Sequence, residues 1–116
     1  MQKSGLAITT SQVGVVVAVK LVGYLDAHTI QDLERFLDQL LKSGHKRVAM
    51  DLSGLTYIAS AGVGLFINFN HRLKGDGSMQ LVNPSANVKE IFTILGLDSI
   101  FTLHGTMDAG IAAAAK

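Results

Sequence analysis

The stretch Asp51-Leu52-Ser53-Gly54-Leu55-Thr56-Tyr57-Ile58-Ala59-Ser60-Ala61-Gly62-Val63-Gly64-Leu65-Phe66 sets a hydroxyl at the mouth of an apolar helix. It reads as a strand ending in an acid, a short polar loop, then Ser60 at the helix entrance. There the first backbone N–H groups lack partners within the helix, and the helix dipole favours negative charge. The chemistry such a place suits is the gain and loss of a phosphate. The same serine also reads as a plain N-cap, worth about 1 kcal/mol. Gly62 and Gly64 each cost roughly 1 kcal/mol of helix propensity relative to alanine. Either something approaches the backbone closely there, or the helix packs tightly on a sheet. Asp26 and Asp51 both follow predicted strands. They read as loop or cap acids, or, if those strands are parallel neighbours, as groups sharing the sheet edge with Ser60.

Signatures of catalysis are weak around these groups. Ile58 stands where a nucleophile elbow needs a glycine two residues before its serine. Ile67 stands where a third glycine would extend Gly62-x-Gly64 into a dinucleotide fingerprint, and no Gly-Lys-Ser/Thr follows. His28, His45, His71 and His104 are scattered without metal-ligand spacing. No carboxylate pair marks a substrate cleft. The expectation is a binding protein with no catalytic residue, no metal and no cofactor.

The elements that must position Ser60 are legible from periodicity. Leu6 to Thr10 and Val15 to Leu25 are β-branched runs, with Ser11-Gln12 as the turn between two antiparallel strands. Gly23-Tyr24-Leu25-Asp26 closes the second. Thr29 reads as the N-cap of a helix whose stripe is Ile30, Leu33, Phe36, Leu37, Leu40 and Leu41. Asp38 and Lys42 stand in the favourable order for an ion pair one turn apart, and Gly44 is the stop. Arg47 to Leu52 predicts a short strand. In the helix after Ser60, the apolar positions Val63, Leu65, Phe66, Ile67, Phe69 and Leu73 cover roughly half the circumference, more than one sheet contact buries. Neighbouring helices cover that arc, or part of it is a partner surface.

Gly75-Asp76-Gly77 then predicts a turn, Met79 to Val82 a strand ended by Pro84, and Ser85 the cap of a helix with Val88, Ile91, Phe92 and Leu95 on its apolar face. Gly96 closes that helix, Ile100 to Leu103 is a short extended piece, and Thr106 starts an alanine-rich helix. The pattern predicts an α/β fold: one domain over 1–116 with a mixed sheet, its first two strands antiparallel and the later ones parallel, flanked by about four helices.

Composition narrows the partners. The chain has 116 residues, 48% apolar and 16% charged, a net charge of +1 and no cysteine. That describes a folded domain with a sizeable core and no disulfide framework or thiol chemistry. Its field is too weak to argue for nucleic acid or an anionic membrane. The valine-rich run Val13 to Leu25 is broken by Gly14, Lys20 and Gly23 and reads as strand rather than membrane span. Behind Lys3 and Ser4-Gly5 there is no signal-peptide core, which predicts a cytoplasmic protein.

Four blocks occur in a telling order and spacing: Gly23-Tyr24-Leu25-Asp26, Asp51-Leu52-Ser53-Gly54-Leu55, Ser60-Ala61-Gly62-Val63-Gly64, and Asn83-Pro84 followed by Gly96-Leu97-Asp98-Ser99-Ile100-Phe101. In these the chain resembles the STAS domain of bacterial anti-sigma factor antagonists (anti-anti-sigma factors). The resemblance implies a partner switch that controls transcription. The unmodified domain binds an anti-sigma factor serine kinase and frees the sigma factor. The kinase phosphorylates the serine matching Ser60, the complex separates, and a serine phosphatase later restores binding. Together with the serine and the apolar arc, this marks Ser60 for phosphorylation and Asp26, Ala59, Ser60, Ala61, Gly62, Val63 and Leu65 for partner contact, with Phe69 a further candidate at its apolar edge.

Two positions depart from the family pattern. Ala59 stands where members usually carry an acid, and Tyr24 where a polar or charged residue is frequent. The first leaves two outcomes open, a kinase that reads this serine poorly or a domain that kept binding and lost the switch. The alternative function is a STAS subunit docking on the ATPase of a lipid-transport ABC complex. The phosphate-friendly helix end alone also admits a small nucleotide- or lipid-binding module. Weak self-association is a further expectation, with the apolar helix left open as its surface.

Overall fold

β-Branched residues and a well-placed glycine start the fold as a hairpin. The computed structural model describes residues 5–116 apart from Lys74; Lys3 and Ser4, read above for an export signal, lie outside the described residues. β1 (Leu6–Val13) runs antiparallel to β2 (Val16–Leu25), with Val13 opposite Val16. The turn is Gly14-Val15, not the Ser11-Gln12 expected. Gly14 has φ +60°, and glycine at the first position of a two-residue loop gives the hairpin turn whose twist matches its strands. Ser11 and Gln12 continue the strand.

From β2 onward the sheet is parallel, in the order β1-β2-β3-β4-β5, with β3 at Arg47–Ile58, β4 at Ser78–Val82 and β5 at Leu103–His104. Parallel neighbours need crossovers. α1 (Ile30–Lys42), α2 (Ser60–Arg72) and α3 (Ala86–Ile94) supply them, and α4 (Met107–Ala115) closes the chain. The expected mixed α/β sheet with four helices is what forms.

Side chains alternate across each strand. Val17, Val19, Leu21 and Leu25 of β2 and Val48, Met50, Leu52, Leu55 and Ile58 of β3 therefore face one side, beneath Leu33 and Leu37 of α1, Phe66 and Phe69 of α2, and Val88 and Phe92 of α3. Val16 and Ala49 face the other, against Ala114 of α4. Phe92 ties the main core together: its ring meets Phe66 edge-on at 6.5 Å and stacks on Phe101 at 6.4 Å.

Further elements differ from expectation, each for a local reason. β3 runs on to Ile58, so the supposed polar loop after Asp51 is strand. Lys20 pairs with Asp51 but Val22 with Gly54, which gives β3 an extra residue there. Asp51 Oδ1 accepts the Ser53 N–H of this bulge at 2.9 Å. Asp38 reaches across to Arg72 of α2 at 2.7 Å rather than back to Lys42. Of the extended piece expected at Ile100 to Leu103, only Leu103 joins the sheet, together with His104, after a 3-10 turn at Leu97–Ser99. Ser85 and Thr106 cap α3 and α4 as read.

Candidate functional site

Two strand ends bring the candidate residues together. Leu25 of β2 pairs with Ile58 of β3. One step on, the Ala59 N–H donates to Leu25 O at 2.8 Å. The loop after β2 and the start of α2 are thereby joined at the C-terminal edge of the parallel strands, where open α/β sheets place their ligands. Asp26 reaches this edge. Asp51 does not: it lies within β3, opposite Lys20 on one side and Val82 on the other.

Asp26 is half-buried, and its Oδ1 accepts the N–H groups of His28 at 2.9 Å and Thr29 at 3.2 Å. Its main-chain oxygen accepts the first helical N–H, that of Ile30, at 3.0 Å. Thr29 is the N-cap residue by position but does not cap with its side chain. It is buried, and its hydroxyl donates to Tyr24 O at 2.8 Å and accepts from Asp26 N at 2.9 Å. The hydroxyl thus pins the loop to β2, while Asp26 takes the capping work.

Ser60 is not the cap either. Ala59 holds the N-cap position in extended backbone, and Ser60 is the first helical residue. Its side chain is exposed, and its hydroxyl has no hydrogen-bond partner among the described residues. No acid stands in the first turn of α2, so that turn supplies no carboxylate to offset the positive end of the helix dipole.

The two glycines divide the two readings between them. A Cβ on Gly62 would lie 2.7 Å from Leu25 Cδ2 and 3.1 Å from Ile58 Cγ1, so this glycine lets the helix start press onto the strand ends. A Cβ on Gly64 would meet nothing within 4 Å. Gly64 is exposed backbone that a visiting surface can approach. Of the remaining candidates, Ala61 is exposed, Ala59 and Leu65 are half-buried, and Val63 and Phe69 are buried in the core. The broad apolar arc of α2 is thus mostly covered by the sheet and its neighbours, with Ile67 37% exposed.

Sequence reasoning missed the surface beside Ser60. Tyr57, Ile58, Ala59, Ser60, Ile91, Ile94 and Leu95 line an open groove of about 280 Å³. Ile94 is 74% exposed, Leu95 52% and Tyr57 49%. The apolar stripe read from the sequence places Leu95 on the buried face of its helix and leaves Ile94 off that face. An isoleucine outside the apolar stripe, just before the closing Gly96, was the available signal.

Fold and site together define a class. The family model of the STAS domain matches residues 7–110, and the chain belongs to that family. Among its relatives, an anti-sigma-B factor antagonist of Staphylococcus aureus is 28% identical over 87 residues, which cover 74% of this chain and 81% of that one. The crystal structure of an anti-sigma factor antagonist from Mycobacterium paratuberculosis superimposes with a TM-score of 0.87 at 20% identity, covering 96% of this chain and 95% of that one. The anti-sigma factor antagonist SpoIIAA, solved in unphosphorylated form, superimposes at 0.79 with 23% identity over 94% of this chain and 96% of its own. SpoIIAA of Bacillus is also solved phosphorylated.

Proposed function

We propose that this chain is an anti-sigma factor antagonist whose Ser60 face binds a serine kinase serving as the anti-sigma factor. Phosphorylation of Ser60 ends that contact, and a serine phosphatase renews it. The observation that carries the reading is an exposed hydroxyl, without a hydrogen-bond partner among the described residues, at the rim of an apolar groove. A phosphate there adds about −1.5 to −2 charges, which an open helix N-terminus tolerates and a packed apolar contact does not. The fold need not change for the partner to leave.

In this interface Ser60 and Ala61 touch the kinase, Asp26 and Ala59 flank them, and Leu65 lies at the apolar edge. Gly62 and Val63 act from beneath, setting the height of the turn. Such a protein works in the cytoplasm; among the described residues no helix is long and apolar enough to cross a membrane.

The test is to mix the chain with its cognate kinase and weigh it intact. With ATP, one phosphate is expected on Ser60, and with ADP a stable complex. Ser60→Ala should keep kinase affinity, while Ser60→Asp should weaken it at least tenfold, a loss of about 1.4 kcal/mol. Equal affinities would contradict the switch.

A second reading rests on Ala59, which leaves the helix entrance without the acid usual in the family. It is a STAS subunit docked constitutively on the ATPase of a lipid-transport ABC complex. Copurification with an ATPase and a permease, with Ser60 unmodified, would favour it over the kinase.

A further inference from the structure

We propose that β1 is a docking edge for a second copy of this chain. Two β1 strands would pair antiparallel about a two-fold axis at Thr10 and join both sheets into one. The sheet has two edges, and they are treated differently. β5 has only two residues, too few to template another strand. β1 has eight, and every residue from Thr9 to Val13 is exposed. Proteins blunt a long free edge with charges or proline, yet the run from Gly5 to Val19 contains neither.

The backbone of β1 is set for pairing. Gly5 O accepts the Tyr24 N–H at 2.8 Å, which makes that residue pair a hydrogen-bonded one. Antiparallel pairs alternate, so Ala7, Thr9, Ser11 and Val13 exchange bonds with β2 along the observed register. The N–H and C=O groups of Ile8, Thr10 and Gln12 then point away from the sheet.

With the axis at Thr10, these three meet their own counterparts: Thr10 faces Thr10, and Ile8 faces Gln12. Thr9 faces Ser11, hydroxyl against hydroxyl, and Ala7 faces Val13, apolar against apolar. Such cross-strand pairs are favourable, and no like charges are opposed. β1 itself carries no charge to pair with a charged peptide. Another β1, uncharged and self-complementary, fits it. One strand pair buries less than the roughly 1,000 Å² of a stable interface, so the dimer is weak and depends on concentration. β2 separates this edge from the strand leading to Ser60, so the two surfaces are independent.

Sedimentation equilibrium of the full chain, from about 10 µM to about 1 mM, reads the association where weak interfaces populate. The mass should rise from monomer toward dimer across that range. Thr10→Lys, which sets two ammonium groups against each other on an exposed strand, should raise the dissociation constant at least about tenfold and leave the melting temperature unchanged. In this cysteine-free chain, Thr10→Cys should oxidise to a covalent dimer far faster than a control, Thr93→Cys. A monomer at every concentration overturns the proposal. A dimer unaffected by Thr10→Lys, with no preference for crosslinking at Thr10, overturns it as well.

Discussion

Gly62 and Gly64 show how two identical residues, two positions apart, answer to different forces. Gly62 is required by packing, because a methyl group there would run into Leu25 and Ile58. Gly62→Ala should therefore lift the start of α2 and destabilise the fold by about 1–3 kcal/mol, read from urea unfolding. Gly64 faces open space. Gly64→Ala should stabilise the free protein by about 0.5–1 kcal/mol, since alanine suits a helix better. On the proposed interface the same methyl stands between the partner and the helix backbone, so kinase affinity should fall as stability rises. Titration and unfolding on one pair of variants separate the two roles.

Among the elements, α3 has two faces in different surroundings. Val88 and Phe92 point into the core, while Ile94 and Leu95 stand out at the C-terminal end beside Tyr57 and Ser60. Ile94, 74% exposed, adds nothing to the core, and with Leu95 and Tyr57 it forms a contiguous apolar patch. Ile94→Ser should change stability by less than about 0.5 kcal/mol, as exposed substitutions do. It should weaken the complex of the unphosphorylated domain with its kinase severalfold, measured by calorimetry in ADP. A helical face that had nothing to do with the partner would leave that affinity where it was.

At the scale of the molecule, the main core lies between one sheet face and three helices, and Phe92 touches the rings that join them. Removing so large a buried ring costs about 3–5 kcal/mol. Phe92→Ala should lower the midpoint of thermal unfolding and, by loosening α3 against α2, blur the Ser60 groove. The order of the strands also matters to function. The crossovers bring Asp26 and Ser60 to one edge of the sheet, while the hairpin makes β1 its end strand. The proposed kinase contact and the proposed self-association thus fall on separate surfaces of one fold.

Much of this was legible in the residues. Helix stripes with a 3.6 period, β-branched runs and the caps at Ser85 and Thr106 arise from local preferences, so the element order and the mixed sheet could be read directly. Family motifs marked Ser60, whose exposure the fold then established. Other features depended on contacts distant in sequence. β3 outran its apolar core because Ser53, Gly54 and Thr56 sit on the outer face of a bulged strand that β2 holds in place. Thr29 makes no cap bond because its hydroxyl is engaged by Tyr24 O and Asp26 N. Asp51 stayed mid-sheet, and Ile94 joined Tyr57 beside Ser60, because the crossovers set which ends meet. Composition and periodicity determined what the pieces were; only tertiary packing, where each burial and hydrogen bond competes with alternatives elsewhere in the chain, decided which of them face one another.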